Sequence, residues 1–192
     1  CWNIECMGKD YVSDRHIKSS SIHTPARIEE ITSNPWDYDI NPEYIEVNFS
    51  NECNFKCGYC HPKFSTRYYN EIKKHGPYKD VIAHSNNIDW FELYEEDDNP
   101  YLEAWWKWWP EVSKTLNILR ITGGEPLMHK STWRLFEELK ENPKPHLNIE
   151  LNSNMGIKEK LVKRLVDTLK ELKKIKAINS FKLYTSIDTW GP

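Results

Sequence analysis

Apolar and polar residues alternate over Tyr44-Ile45-Glu46-Val47-Asn48-Phe49, and this period of two predicts a first β-strand. Similar β-rich segments recur over Leu116–Thr122, Leu147–Leu151 and Phe181–Ile187, predicting three more strands. Between the strands the period becomes helical. Residues 65–75 read as a short helix ended by Gly76-Pro77. Trp133, Phe136 and Leu139 share one face of a second helix, with Ser131 as its expected cap. Pro143 and Pro145 are expected to end it. Leu161, Leu165, Leu169 and Leu172 form the apolar stripe of a third helix over Lys158–Lys174, with its lysines on the other side. Strands alternating with helices predict an α/β fold with a parallel sheet. Right-handed crossovers would curl that sheet into a barrel-like array.

Two stretches stand outside this rhythm. Residues 1–42 are polar and irregular, broken by Pro25, Pro35 and Pro42. One short helix is expected there, over Pro25–Thr32, with Thr24 as its cap. Residues 78–117 read as an insertion. It holds an acidic run, Glu92 and Glu95 to Asp98, then an aromatic helix from Tyr101 to Trp109. Pro110 need not stop that helix, and residues 111–116 can continue it with a kink. Trp105, Trp108 and Trp109 can share a face, with Trp106 off it, so packing is the expected role. The acidic run reads as a solvated loop.

The length of 192 residues supports one sizeable core, or one domain with an appendage. The formal net charge of −3 argues against a general nucleic-acid binder, which needs a basic excess. No apolar run approaches the length of a membrane span, so no membrane partner is expected. The five cysteines, three of them in one loop, do not resemble a secreted disulfide framework. A reduced, cytoplasmic location is expected.

That loop carries the chemistry. Cys53, Cys57 and Cys60 form a C-x3-C-x2-C pattern directly after the first strand. Closely spaced thiolates favour zinc, Cu(I) or an iron–sulfur cluster. A structural zinc site wants a fourth Cys or His, and only His61 is at hand, too close to Cys60 for an unstrained tetrahedron. A [4Fe–4S] cluster held by three thiolates leaves one iron open. A second element follows the second strand: Ile121-Thr122-Gly123-Gly124-Glu125-Pro126-Leu127.

The cysteine spacing, with Tyr59 just before the third cysteine, and the downstream Gly-Gly-Glu-Pro element resemble the radical S-adenosylmethionine (radical SAM) superfamily. The resemblance implies a partial (β/α)6 barrel. About four of its strands are present, so the chain is expected to be a fragment truncated after about strand 4. Residues 43–192 would be the core. Residues 1–42 resemble the end of an auxiliary "twitch" or SPASM-like region, in which Cys1 would belong to an auxiliary iron–sulfur ligand set and Cys6 would be an ordinary thiol.

In βα barrels, ligands sit at the C-terminal ends of the strands, where all these unusual residues fall. The resemblance implies that Cys53, Cys57 and Cys60 hold a [4Fe–4S] cluster whose fourth iron binds S-adenosylmethionine. It places Tyr59 near the adenine. Gly123, Gly124 and Glu125 would hold the methionyl amino group. Asn54 and Lys56 could supply hydrogen bonds and charge to the cluster, with a solvated side chain as the alternative for Lys56.

After the third strand, Asn152-Ser153-Asn154 resembles a Thr-Asn-Gly element, with Asn154 toward the cofactor. Met155 takes the place of the glycine and Gly156 follows one residue later, which puts the turn there in question. After the fourth strand, Ser186 and Asp188 match a Ser-x-Asp pattern near the cofactor's carboxylate and ribose. The implied activity is reductive cleavage of S-adenosylmethionine to a 5′-deoxyadenosyl radical, which takes a hydrogen atom from an unknown substrate, a peptide or a small metabolite. A reductant such as flavodoxin or ferredoxin is implied as a partner. Two other readings remain: a non-catalytic iron–sulfur protein that carries electrons or binds a partner, and a zinc module using His61.

Overall fold

The computed structural model describes residues 2–8, 24–79, 88–89 and 98–186. Four strands form one sheet in chain order: β1 Tyr44–Asn48, β2 Ile118–Thr122, β3 Lys144–Ser153 and β4 Ile178–Thr185. Every pairing is parallel. The helices are α1 Trp2–Glu5, α2 Pro25–Ser33, α3 Thr66–His75, α4 Pro100–Val112, α5 Lys130–Glu141 and α6 Glu159–Lys174. This is an α/β array with a four-stranded parallel sheet, consistent with a partial (β/α) barrel. Because all strands run one way, their last residues, Asn48, Thr122, Ser153 and Thr185, share one edge of the sheet.

The two faces of the sheet differ because the side chains alternate. Leu119 and Ile121 of β2 and Leu147, Ile149 and Leu151 of β3 are fully buried. They share one core with residues of α4, α5 and α6, among them Trp109, Phe136 and Leu172. On the opposite face the register puts Glu46, Arg120, Glu150 and Lys182 in one row across all four strands. Charge alternates along that row. Arg120 Nε lies 3.9 Å from Glu46 Oε2, and Lys182 Nζ lies 3.9 Å from Glu150 Oε1. Cross-strand pairs of opposite sign favour this register, modestly so where solvent reaches them.

Several boundaries depart from expectation. Pro145 does not end a helix; it lies inside β3, which starts at Lys144. The β3–β4 register shifts between Lys144 and Asn148, and such an irregularity tolerates a residue that cannot donate to the ladder. Likewise β4 begins at Ile178 and ends at Thr185. Ser131 is not the cap of α5 but a buried residue of its first turn. The cap position belongs to His129, because a single helical turn over Pro126–Met128 carries the chain directly into α5. Thr24 does cap α2, accepting from Arg27 N–H.

The aromatic helix α4 runs through Pro110 to Val112. Asn99 caps it, accepting from Tyr101 N–H at 3.0 Å. Leu102, Trp105, Trp109 and Val112 define its buried arc. That arc is centred so that Trp106 and Trp108 flank it on opposite sides. Trp108 is therefore 41% exposed rather than buried with its neighbours. Trp106 stacks against Phe49 at 6.2 Å between ring centroids, and the Arg134 guanidinium lies over the Trp106 ring, 4.0 Å from its centroid. Trp109 Nε1–H donates to Glu138 Oε2 at 2.7 Å, which satisfies the polar atom of the largest core side chain. The tryptophans thus bind α4 to the core. The acidic stretch from Glu92 to Asp97 lies outside the described residues.

Candidate cofactor site at the strand ends

The cluster loop leaves β1 at Asn48 and is held by the first turn of α3. Cys53 N–H donates to Thr66 Oγ1 at 3.3 Å, and Arg67 Nη1 donates to the Asn54 carbonyl at 2.7 Å. Ser65 caps α3, accepting from Tyr68 N–H, while its hydroxyl donates to the Phe55 carbonyl. A tight turn, Cys60 N–H to the Cys57 carbonyl at 2.9 Å, brings the second and third cysteines around.

Cys53, Cys57 and Cys60 are unbonded to one another and half-buried. Burial pushes the Cys53 thiol above its ordinary range, the Phe55 N–H pulls against that, and the Glu125 charge adds to the rise. Burial likewise raises the Cys60 thiol. Among the described residues, no three His, Cys, Asp or Glu side chains gather closely enough to hold a single metal ion. Three thiols spread over one loop suit a cluster, in which each thiolate sits on a different iron. His61 Nδ1 accepts from Lys63 N–H at 3.0 Å and so caps the short turn at Pro62–Phe64. Lys56 pairs with Glu71 of α3, which draws its ammonium onto the helix.

The Gly-Gly-Glu-Pro element leaves β2 and grips the start of this loop. Gly124 N–H donates to the Ser50 carbonyl at 3.2 Å, and Glu125 N–H to the Glu52 carbonyl at 2.7 Å. His129 Nε2 contacts the same Glu52 carbonyl at 3.0 Å. The approach leaves no room for side chains. A Cβ on Gly123, whose φ is +108°, would lie 2.0 Å from Asn48 Oδ1, and one on Gly124 would lie 2.2 Å from the Glu52 carbonyl oxygen.

Glu125 is fully buried. Its carboxylate accepts from Ser153 Oγ at 2.8 Å, Asn154 N–H at 2.8 Å and Leu127 N–H at 3.2 Å. Burial pushes its carboxyl above the usual carboxylate range, and these donors pull the other way. The structure therefore places the Glu125 side chain between β2 and β3, and the element's glycines against the cluster loop.

Asn154 follows β3 and also reaches the loop. Its Nδ2 donates to Asn54 Oδ1 at 3.0 Å and lies 3.9 Å from Cys53 Sγ. The displaced glycine has a physical reason. Met155 takes the left-handed turn, with φ 54°, while Gly156 sits under the Phe55 ring, where a Cβ would come within 2.3 Å of Cζ. Tyr59 is 73% exposed. Ser186 closes the row of strand ends through its N–H to the Ser153 carbonyl at 3.2 Å. Asp188 and Cys1 lie outside the described residues, and Cys6 is exposed. The structure thus brings Cys53, Cys57, Cys60, Gly123, Gly124, Glu125 and Asn154 together at one sheet edge. Sequence reasoning passed over Ser153, whose hydroxyl holds Glu125, and His129, which no local pattern marks.

A family model described as the radical SAM superfamily matches residues 47–190, a range that includes both motifs. The chain belongs to the radical SAM superfamily. Its cofactors are accordingly a [4Fe–4S] cluster and S-adenosylmethionine. Two curated proteins named GTP 3′,8-cyclase are similar to it. That of Nautilia profundicola is 24% identical over 125 residues, covering 65% of this chain and 31% of that protein. That of Campylobacter fetus subsp. fetus is 26% identical over 143 residues, covering 70% of this chain and 37% of that protein. The chain therefore spans about a third of the length of these relatives. No solved structure matches it significantly. The three free loop thiols are the soft donors that the family's cluster needs, and the glycine element packs against the loop that carries them.

Proposed function

We propose that this chain is the cofactor-binding part of an enzyme that cleaves S-adenosylmethionine reductively at a [4Fe–4S] cluster, giving a 5′-deoxyadenosyl radical that abstracts hydrogen from a substrate. The observation that carries the reading is the meeting of two motifs at one sheet edge: the Gly123-Gly124-Glu125 backbone lies directly on Ser50–Glu52, the lead-in to Cys53. Cys53, Cys57 and Cys60 would be the cluster ligands. Gly123 and Gly124, having no side chains, let this element lie against Asn48–Glu52 and so set the lead-in to the cysteines. Asn154 and Ser186 stand on the same edge and would line the cofactor's site. The protein's own part is to orient the reactants and exclude water.

An electron carrier would normally complete its cluster with a fourth protein ligand. His61, next to Cys60 in the chain, already uses Nδ1 to cap the Pro62 turn. That observation favours an open iron, and with it an enzyme.

The test is anaerobic reconstitution with iron and sulfide, reduction, and electron paramagnetic resonance with and without S-adenosylmethionine. The expected result is a [4Fe–4S]+ signal that changes when S-adenosylmethionine is added, with both signal and cofactor cleavage lost in Cys57→Ala. Four cysteinyl ligands, or full iron content in Cys57→Ala, would overturn the reading. The shared name of the two relatives makes GTP the first substrate to offer. A peptide and other small metabolites follow.

A further inference from the structure

The end of β3 is joined to the cluster loop by a pair of amides. Asn154 Nδ2 donates to Asn54 Oδ1 at 3.0 Å, and Asn54 Nδ2 donates to the Gly156 carbonyl at 2.7 Å. Asn154 Oδ1 accepts from Gly156 N–H at 2.8 Å. Each oxygen thus meets a donor and each nitrogen an acceptor, which fixes the orientation of both amides. A primary amide carries two hydrogens. One of those on Asn154 Nδ2 goes to Asn54. The other is within reach of Cys53 Sγ, 3.9 Å away. The contact is held from behind, since Asn154 N–H is bonded to the buried Glu125 carboxylate at 2.8 Å.

We propose that Asn154 is a positioning residue: its amide fixes Asn54 in the cluster loop and lends an N–H to the Cys53 sulfur, and so raises the reduction potential of the cluster held there. This rests on the superfamily reading of the three cysteines. The reason is electrostatic. Reduction adds negative charge that spreads onto the ligand sulfurs, and a donor aimed at one of them stabilises the reduced form more than the oxidised form. Removing the donor should therefore make reduction harder.

The experiment compares two near-isosteric variants of the full chain, Asn154→Leu and Asn54→Leu, after anaerobic reconstitution. Asn154→Leu removes the donor to sulfur. Asn54→Leu breaks the amide pair but leaves that donor in place. Iron and sulfide content and the midpoint potential, followed by electron paramagnetic resonance, are the readouts. Asn154→Leu is expected to keep a full cluster while the equilibrium constant for its one-electron reduction falls about tenfold, a drop of about 59 mV. Asn54→Leu is expected to move the potential by less than half as much.

An unchanged potential in Asn154→Leu overturns the proposal, and so does an equal drop in both variants, which would trace the effect to a displaced loop. Loss of the cluster in Asn154→Leu alone also overturns it, since the residue would then be a structural tie. A wild-type chain that takes up no cluster overturns the superfamily reading beneath it, and is told apart because every sample then fails together.

Discussion

Ser153 Oγ donates to Glu125 Oε1 at 2.8 Å, so a buried carboxylate on the loop after β2 is held by the last residue of β3. The same carboxylate accepts the next backbone N–H, that of Asn154. All three of its hydrogen-bond partners are donors. A glutamine at this position would turn an NH2 toward one of them. Glu125→Gln should therefore destabilise the fold by about 1–3 kcal/mol, the penalty for a buried polar group left without a partner. Urea unfolding of the unreconstituted chain checks this, and a midpoint equal to wild type would refute it.

The same residue sets a pH dependence. Burial holds the Glu125 carboxyl above the usual carboxylate range in the folded state. Between the unfolded and the folded pKa, the folded chain binds more protons than the unfolded chain, so the slope of stability against pH is negative there. The Glu125 contribution is thus fully present below the ordinary carboxylate pKa and declines as pH rises through the raised one. Other groups titrate in the same range, so the useful quantity is the difference between wild type and Glu125→Gln. That difference should shift against wild type as pH rises through this window, and a flat difference would mean that Glu125 keeps its ordinary pKa.

The glycines of the loops are predicted to differ sharply. A Cβ at Gly124 meets the Glu52 carbonyl, which is backbone and cannot swing aside, whereas a Cβ at Gly58 meets nothing within 4 Å. Gly124→Ala should cost more than about 1 kcal/mol and lower iron uptake by shifting the lead-in to Cys53. Gly58→Ala should stay within about 0.5 kcal/mol of wild type. Thermal unfolding and iron content, measured together, separate the two cases.

Much of this arrangement was legible in the sequence. Four strands and five of the helices, α2 to α6, were readable from capping and breaking residues and from apolar spacing, which dictates which face an element buries, as in Leu147, Ile149 and Leu151. The cluster loop and its glycine partner were readable because they combine rare residue types at fixed spacing. The direction in which the Glu125 carboxylate points was not, since it depends on how two loops meet after the strands have paired. The ion-pair partner of Lys56 was equally illegible, since Glu71 lies on the following helix, α3. The position of Pro145 depended on an irregularity in pairing that no local signal announces.

Cysteine variants should divide in the same way. Cys6 is exposed near α1, and Cys53 lies within the loop beside Asn154. Cys6→Ser should leave the iron content of the reconstituted chain unchanged, whereas Cys53→Ser should remove most of it, because a hydroxyl is a poor substitute for a soft thiolate. An equal loss in both would show that Cys6 also holds iron.

The contact between Phe55 and Gly156 yields a prediction about coupling. Gly156 has no Cβ, and the Phe55 ring occupies the space that one would fill, 2.3 Å from Cζ. The ring is 41% exposed, so it can be displaced, but displacing it pulls on the loop between Cys53 and Cys57. Gly156→Ala alone should destabilise the chain and slow cluster uptake. Phe55→Ala alone loses only a partly exposed packing contact. The double variant has room for the new methyl, so its cost should fall below the sum of the single costs by about 0.5–3 kcal/mol, the range seen for residues in contact. Strict additivity would mean that the loop already moves freely over Gly156, and the displaced glycine would then need another explanation.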